Sequence, residues 1–277
     1  MEEIEDLEEL IMKKRVISAI LMIAVFVPLL IVGDIYFALF MSIIGLSGLF
    51  ELTHIRESKK EFPLITKFFA YIMFSLLMFM SYGKFDFAFS LDIKYISLII
   101  FLFLLPLVFI NNSEKYNLND ALYLIGSLLF LGISFNLLIL IRDNSLELMI
   151  YLLLLQTLTD TFALVTGRLI GSHLLCPSIS PKKTVEGAIG GTVFATIVAV
   201  AFYMTVCSSG ANLIFVILVS IGLSVVGQLG DLVFSAIKRY YGKKDFSDII
   251  PGHGGILDRF DSLIFMALAF IFIIEYM

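Results

Sequence analysis

Long apolar stretches separated by short polar ones set the pattern of this chain. A helix that crosses a bilayer needs about 20 mostly apolar residues, because every backbone N–H and C=O in the lipid must be satisfied within the segment. By that rule the sequence predicts nine spans, at approximately 16–33, 34–50, 64–82, 94–110, 120–141, 147–167, 187–206, 211–236 and 260–277. Only Gly33-Asp34 is available to turn the chain between the first two. Pro106, inside ISLIIFLFLLPLVFI, is placed to kink the fourth. The expected fold is therefore all-α, a polytopic integral membrane protein. Residues 1–150 read as N-terminal membrane scaffold helices and residues 151–277 as catalytic membrane helices and cytoplasmic loops, together one integral-membrane body.

Nine alternating spans make a prediction about charge, since Lys and Arg in short loops stay cytoplasmic. Lys13, Lys14, Arg15, Arg56, Lys59, Lys60, Lys67, Lys115, Arg168, Lys182, Lys183, Lys238, Arg239, Lys243, Lys244 and Arg259 fall on the N-terminal side. Lys84, Lys94 and Arg142 fall on the other, a division of 16 against 3 among the 19 bases. The expected topology has the N-terminus in the cytoplasm and the C-terminus outside, in a multi-pass cell membrane.

Composition agrees with this picture and removes alternatives. The chain is 60% hydrophobic and 16% charged, with a mean hydropathy of +1.00. Soluble domains average about 45–50% apolar and about 25% charged. A disordered chain, a disulfide-stapled secreted domain and a nucleic-acid binder with a basic surface are excluded on this ground. The net charge of -5 comes from the head MEEIEDLEEL, whose six acids leave 18 acids against 19 bases in the remainder. That acidic head is unlike a secretory signal, so the N-terminus is expected to be retained. Cys176 and Cys207 are expected on opposite membrane faces and therefore unbridged.

Polar residues concentrate late, in QTLTDTF with a following Gly-Arg, in SISPKKTVEGAIGG, and in GQLGDLVFSAIKRYYGKKDFSDIIPGHGGILDRFD. An ionisable residue inside a span costs roughly 2.5–3.5 kcal/mol on insertion scales, so by default it marks function or a specific partner. Asp160 and Asp231 are the clearest cases. Leu213 to Gly230 spans about 27 Å of helix, which puts Asp231 near the cytoplasmic end, where a ligand role competes with a helix-end ion pair to Lys238 or Arg239. Asp258 and Asp261 stand three apart on one helical face, where they either cap the helix or share a cation. With Asp231 they form a set of three carboxylates suited to Mg²⁺, which takes one or two carboxylates, waters and substrate phosphates. Glycines in Pro251-Gly252-His253-Gly254-Gly255 let the backbone approach an anion at a helix start. Pro181 suits the beginning of a helix with Ser180 as its cap, and Lys182 and Lys183 are either a positive-inside pair or, beside hydroxyls, a hold on phosphate. No Walker-type Gly-Lys-Ser/Thr string occurs.

These residues resemble a known family, the phosphatidate cytidylyltransferases or CDP-diacylglycerol synthases. The resemblance is carried by Ser235-x-Ile237-Lys238-Arg239, Lys244-Asp245, Ser247, Ile250-Pro251, His253-Gly254-Gly255-Ile256 and Asp258-Arg259-Phe260-Asp261. Asp160 to Gly167-Arg168, and Ile179-Ser180-Pro181-Lys182-Lys183-Thr184 with Glu186-Gly187 and Gly190-Gly191, also look like the family. Residues 1–150 are similar mainly in span pattern, with MKKRVISA and Glu51 as faint echoes. Leu164 departs from the aromatic expected there, which touches only packing or ligand stacking.

The resemblance implies transfer of the cytidylyl group of CTP to phosphatidic acid at a site facing the cytoplasm, with Mg²⁺ as cofactor and a second cation left open. It implies metal binding by Asp231, Asp258 and Asp261, and a grip on phosphates by Lys182, Lys183, Lys238, Arg239, Lys244 and Arg259. His253 is either a phosphate donor or a satisfied loop histidine. Asp160, Arg168, Ser180, Thr184, Glu186, Gly254 and Gly255 are expected on the substrate side. The partners are CTP, phosphatidic acid and the lipid bilayer, with a homodimer left open and no nucleic acid. The competing readings are a CTP-dependent lipid kinase, a transferase acting on another lipid phosphate and, from another class, an ion-coupled secondary transporter. The transporter predicts inverted repeats and polar residues through many spans, and neither is visible.

Overall fold

The computed structural model describes residues 2–79, 93–110, 112–207 and 210–277. Its helices are α1 (Glu2–Val32), α2 (Asp34–Glu57), α3 (Leu64–Phe79), α4 (Ile93–Leu104), α5 (Pro106–Phe109), α6 (Leu118–Asn144), α7 (Leu146–Ile170), α8 (Val185–Phe202), α9 (Leu213–Tyr240) and α10 (Leu257–Phe270). Six helical stretches among the described residues are long and apolar enough to cross a membrane: Met12–Val32, Asp34–Glu57, Leu118–Asn144, Leu146–Ile170, Val185–Cys207 and Leu213–Tyr240. The other expected spans coincide with shorter helices. α3 has 16 residues, and α4 and α5 are interrupted at Leu105, just before Pro106, whose missing N–H removes one helical hydrogen bond. The stretch expected at 260–277 gives way after Phe270 to turns and a 3₁₀ segment, Ile274–Tyr276. Lys84 and the end of the predicted 64–82 span lie outside the described residues.

Two expectations are corrected. The fold is nearly, not wholly, all-α: β1 (Leu174–Cys176) pairs antiparallel with β2 (Ser180–Thr184) in a small hairpin. Ser180 and Pro181 consequently belong to a strand and do not open a helix. α8 starts four residues beyond Pro181, at Val185, where the Thr184 hydroxyl accepts a hydrogen bond from Gly187 N at 3.1 Å and satisfies a free helix-start donor. The turn expected at Gly33-Asp34 is present, with positive φ at both residues (70° and 46°).

The chain divides into two compact units, residues up to Ile139 with Lys243–Arg259, and Leu140–Gly242 with Phe260–Met277. In the first, α2 buries Phe37, Met41, Leu49, Leu52 and Ile55 at helical spacing. Gly45 lies so close to Phe74 of α3 and Phe135 of α6 that an added Cβ would meet their rings at 2.8 and 3.2 Å. Asn136 donates to the carbonyls of Leu77 (3.2 Å) and Met78 (2.9 Å). Asp120 is 1% exposed, paired with Arg56 and Lys60, and accepts from Asn117 N at 3.0 Å.

In the second unit, α7, α8 and α9 are joined by a ladder of hydroxyls and one amide. Tyr151 Oη meets Ser220 Oγ at 2.7 Å, Thr159 Oγ1 meets Ser224 Oγ at 2.9 Å, and Ser224 donates to Thr192 Oγ1 at 3.1 Å. Gln228 donates to Thr192 Oγ1 (2.9 Å) and to the Ala188 carbonyl (3.3 Å). In lipid, where water cannot satisfy a polar group, such contacts fix which helix faces which, at about 0.6 kcal/mol each on average. Gly187 and Gly191, four apart on α8, bring its backbone against Ala163 and Thr159 of α7. Cys176 and Cys207 are both free thiols.

Candidate active site

The predicted site residues fall into one group in each unit. In the second unit, α9 carries Asp231 four residues before Ser235, whose hydroxyl donates to Asp231 Oδ1 at 3.3 Å. The other carboxylate oxygen, Oδ2, pairs with Lys183 Nζ from β2, with both side chains about one-third exposed or less (31% and 26%). The sequence offers Lys238 or Arg239 as one helix-end partner; β2 supplies a further cation, Lys183, that the local sequence does not reveal. Asp261, on α10, is 8% exposed and accepts from Ser262 N at 2.7 Å. Its charged neighbours are Asp231, Asp160 and Lys238, and Lys238 is itself buried at 7% exposure. Three acids thus share one neighbourhood with Lys183 and Lys238.

The hairpin, the start of α8 and the ends of α7 and α9 hold the other predicted residues of the second unit. Glu186 ties the first turn of α8 to the segment before β1: Oε2 accepts from Ser172 N (3.0 Å) and His173 N (3.2 Å), and Oε1 meets His173 Nδ1 at 2.6 Å. Thr184 is the α8 cap. Arg239 Nε donates to the Ile179 carbonyl at 3.3 Å, linking the end of α9 to the hairpin turn. Ser180 lies half-buried in β2, whereas Lys182 and Arg168 are exposed.

In the first unit the Gly-rich segment forms a turn. Ile250 accepts from His253 N at 2.9 Å, with Pro251 and Gly252 (φ 76°) between them, the arrangement of a type II turn whose third position favours glycine. Ile250 N donates to the Gly254 carbonyl at 2.9 Å and closes the loop. α1 packs against this turn: Ser18 Oγ lies 3.0 Å from the Pro251 carbonyl and 2.8 Å from His253 Nδ1. Arg259 fastens the other side, donating to the His253 carbonyl through Nε (3.0 Å) and Nη2 (2.5 Å). Asp258 Oδ2 reaches back to Gly255 N (2.9 Å) and Phe246 N (3.0 Å). Lys244 is exposed beside this turn in sequence, and Gly254 and Gly255 are partly and fully buried.

Glu51 is only a faint echo of the family in the sequence, yet its carboxylate is fully buried and takes three donors from this segment. The available signal was weak, an acid one residue beyond the expected span 34–50, among the polar residues that end α2. Ser18 and His173 carried no such signal.

Among the described residues no group of three or more His, Cys, Asp or Glu is gathered to hold a metal ion. The donor chemistry nearest to a Mg²⁺ site is Asp231 with Asp261: two hard oxygen ligands, one of them buried, beside a third acid. That number suits a cation that draws its other ligands from water and phosphate.

Helices of membrane-crossing length, acids grouped with lysines near the cytidylyl-family motifs and a Gly-rich turn at a helix start are the features of an integral membrane protein. The chain belongs to the cytidylyltransferase family, whose model matches residues 13–277. It is 38% identical over 256 residues to the phosphatidate cytidylyltransferase of Staphylococcus haemolyticus, covering 92% of this chain and 96% of that protein. The proteins of the same name from Staphylococcus saprophyticus and Staphylococcus aureus strain COL are 36% and 35% identical, with the same coverage.

Proposed function

We propose that the protein transfers the cytidylyl group of CTP to phosphatidic acid, giving CDP-diacylglycerol and pyrophosphate. The observation that carries this reading is the Lys183–Asp231 pair with Asp261 within the electrostatic reach of Asp231, Asp160 and Lys238, in a chain similar over nearly its whole length to proteins bearing that name. A phosphate monoester oxygen of the lipid attacks the α-phosphorus of CTP. The new P–O bond forms as the bond to the β-phosphate oxygen breaks, and pyrophosphate carries away the electron pair. Such a transfer needs no protein nucleophile, only alignment and compensation of charge. Lys183, Lys238, Arg239 and Lys182 are assigned to the phosphates in the second unit, and Lys244, Arg259 and the Gly254–Gly255 backbone in the first.

Asp231 and Asp261 would hold Mg²⁺, which when bound offsets negative charge on the triphosphate. Asp258, engaged with Gly255 N and Phe246 N, serves the same chemistry by shaping the turn. In the membrane, nine spans with a cytoplasmic N-terminus and cytoplasmic site are supported by the division of bases, 16 against 3. Single cysteines at positions 59, 183 and 243 should then react only from the cytoplasmic face and one at position 84 only from outside.

The direct test is purified protein in detergent with CTP radiolabelled at the α-phosphate, Mg²⁺ and several lipid acceptors. Labelled lipid with stoichiometric pyrophosphate is the expected result. Release of CDP with phosphorylated lipid would replace this reading by a CTP-dependent kinase. Absence of any product from folded protein would overturn it.

A further inference from the structure

We infer that Glu51 is a positioning residue: its buried carboxylate, from the end of α2, sets the geometry of the Gly-rich turn and the start of α10. Its two oxygens take donors from three residues of that segment. Oε1 accepts from Ser247 Oγ at 2.5 Å and from Ile256 N at 2.7 Å, and Oε2 accepts from Leu257 N at 2.8 Å. Ile256 immediately precedes α10 and Leu257 opens it, so Glu51 acts as a cap on that helix start, delivered from a different helix. Its residue is 0% exposed. A buried carboxylate is tolerated when its lone pairs are met, and a helix start favours negative charge.

The backbone is shaped to admit this group. A Cβ added at Gly255 would stand 2.5 Å from Glu51 Oε1 and 2.8 Å from Oε2, closer than atoms approach, so only glycine leaves room for the carboxylate. Gly255 N is at the same time held by Asp258 Oδ2 at 2.9 Å. Two carboxylates therefore grip consecutive peptide groups, Asp258 at Gly255 and Glu51 at Ile256 and Leu257. Ser247 extends the grip upstream, since its oxygen also accepts from Ile249 N at 3.2 Å. The segment so fixed runs from Ser247 to Leu257, between Lys244 and Arg259. Glu51 touches no phosphate in this scheme. Its effect on catalysis, which rests on the proposed phosphate role of this segment, comes from holding donors and cations where the transition state needs them.

Glu51→Gln tests this, because the amide keeps the volume but sets an N–H against a backbone N–H in either orientation. The expected result is a turnover number lowered roughly 10- to 100-fold with the KM for the lipid acceptor unchanged, since displacement of about 1 Å at a site has effects of that order. Glu51→Asp, which keeps the charge on a shorter arm, should recover part of the turnover. Hydrogen exchange at the amides of Ile256 and Leu257, followed without nucleotide or lipid, should speed up in Glu51→Gln. Ser247→Ala removes one of the three donors and should lower turnover less. The double variant should be no worse than Glu51→Gln alone, as expected of residues acting as one unit. Unchanged exchange at these amides, or a rate loss that only follows the folded fraction, would overturn the inference. Because exchange needs no substrate, an unaltered protein that made no CDP-lipid would count against the proposed function while exchange still decided the role of Glu51.

Discussion

Asp120 in the first unit and Asp261 in the second are both deeply buried aspartates, yet their surroundings are opposite. Asp120 sits between Arg56 and Lys60 and accepts a backbone N–H, so its negative charge is met within the fold. Asp261 lies among the charges of Asp231 and Asp160, with Lys238 as the cation that faces it. A buried acid matched by two cations holds structure together, because removing either side strands the other. An acid grouped with other acids keeps a place for positive charge brought from outside, and that is where a charged substrate or its counter-ion is expected. The contrast predicts that equal substitutions at the two places will change different observables.

The largest effect is expected at the acid cluster. Asp261→Asn and Asp231→Asn, measured by labelled-lipid formation, should lower turnover about 10²–10³-fold, near 3–4 kcal/mol, as for loss of one preorganised electrostatic contact. Thermal unfolding of Asp261→Asn in detergent should show no loss of stability, since repulsion among the acids is relieved. Near-normal turnover in both variants would erase the distinction. Next comes Asp120→Asn, which leaves Arg56 and Lys60 facing a neutral amide and should cost about 3 kcal/mol of stability. Turnover per folded molecule should be intact, and a selective loss of turnover would place Asp120 among the functional acids.

Lys183→Met sharpens the comparison from the cation side. It strips Asp231 of the partner that β2 supplies, and turnover at subsaturating CTP should fall about tenfold, in the range of a charge-assisted hydrogen bond. The smallest effect is expected at Asn212, whose side chain caps α9 at the end opposite Asp231 by accepting from Ile214 N at 2.8 Å. Asn212→Ala should lower stability by about 1 kcal/mol and leave turnover as it is.

Much of this was legible because apolar surroundings make charge conspicuous. Asp160, Asp231 and Asp261 stand out in the sequence since a carboxylate in a span is costly without a reason, and Asp258 by standing three residues before Asp261. Pro106 and Gly33 mark their breaks through backbone chemistry alone. The hairpin was not legible: strands of three and five residues, one containing Pro181, are too short to show a two-residue alternation. Nor was the pairing of Asp231 with Lys183, which stands 48 residues upstream and reads as one more cytoplasmic base. Glu51 was nearly invisible for a different reason. Two of its three partners are backbone N–H groups, and main-chain donors leave no trace in the identity of the residues that carry them.

The Glu51 clamp also has a timetable. Its backbone donors lie 205 and 206 residues further along the chain. At synthesis rates of about 5–20 residues per second, roughly 10–40 s separate the appearance of the acceptor from that of its donors. For that interval α2 carries a carboxylate whose ligands do not yet exist, and the turn that it caps is among the last features of the fold to be completed. Native pairing at such sequence distance is slow to find and cannot be rehearsed locally. A ribosome stalled before residue 256 would leave in the membrane a protein whose first helices are already made but whose turn has never been set.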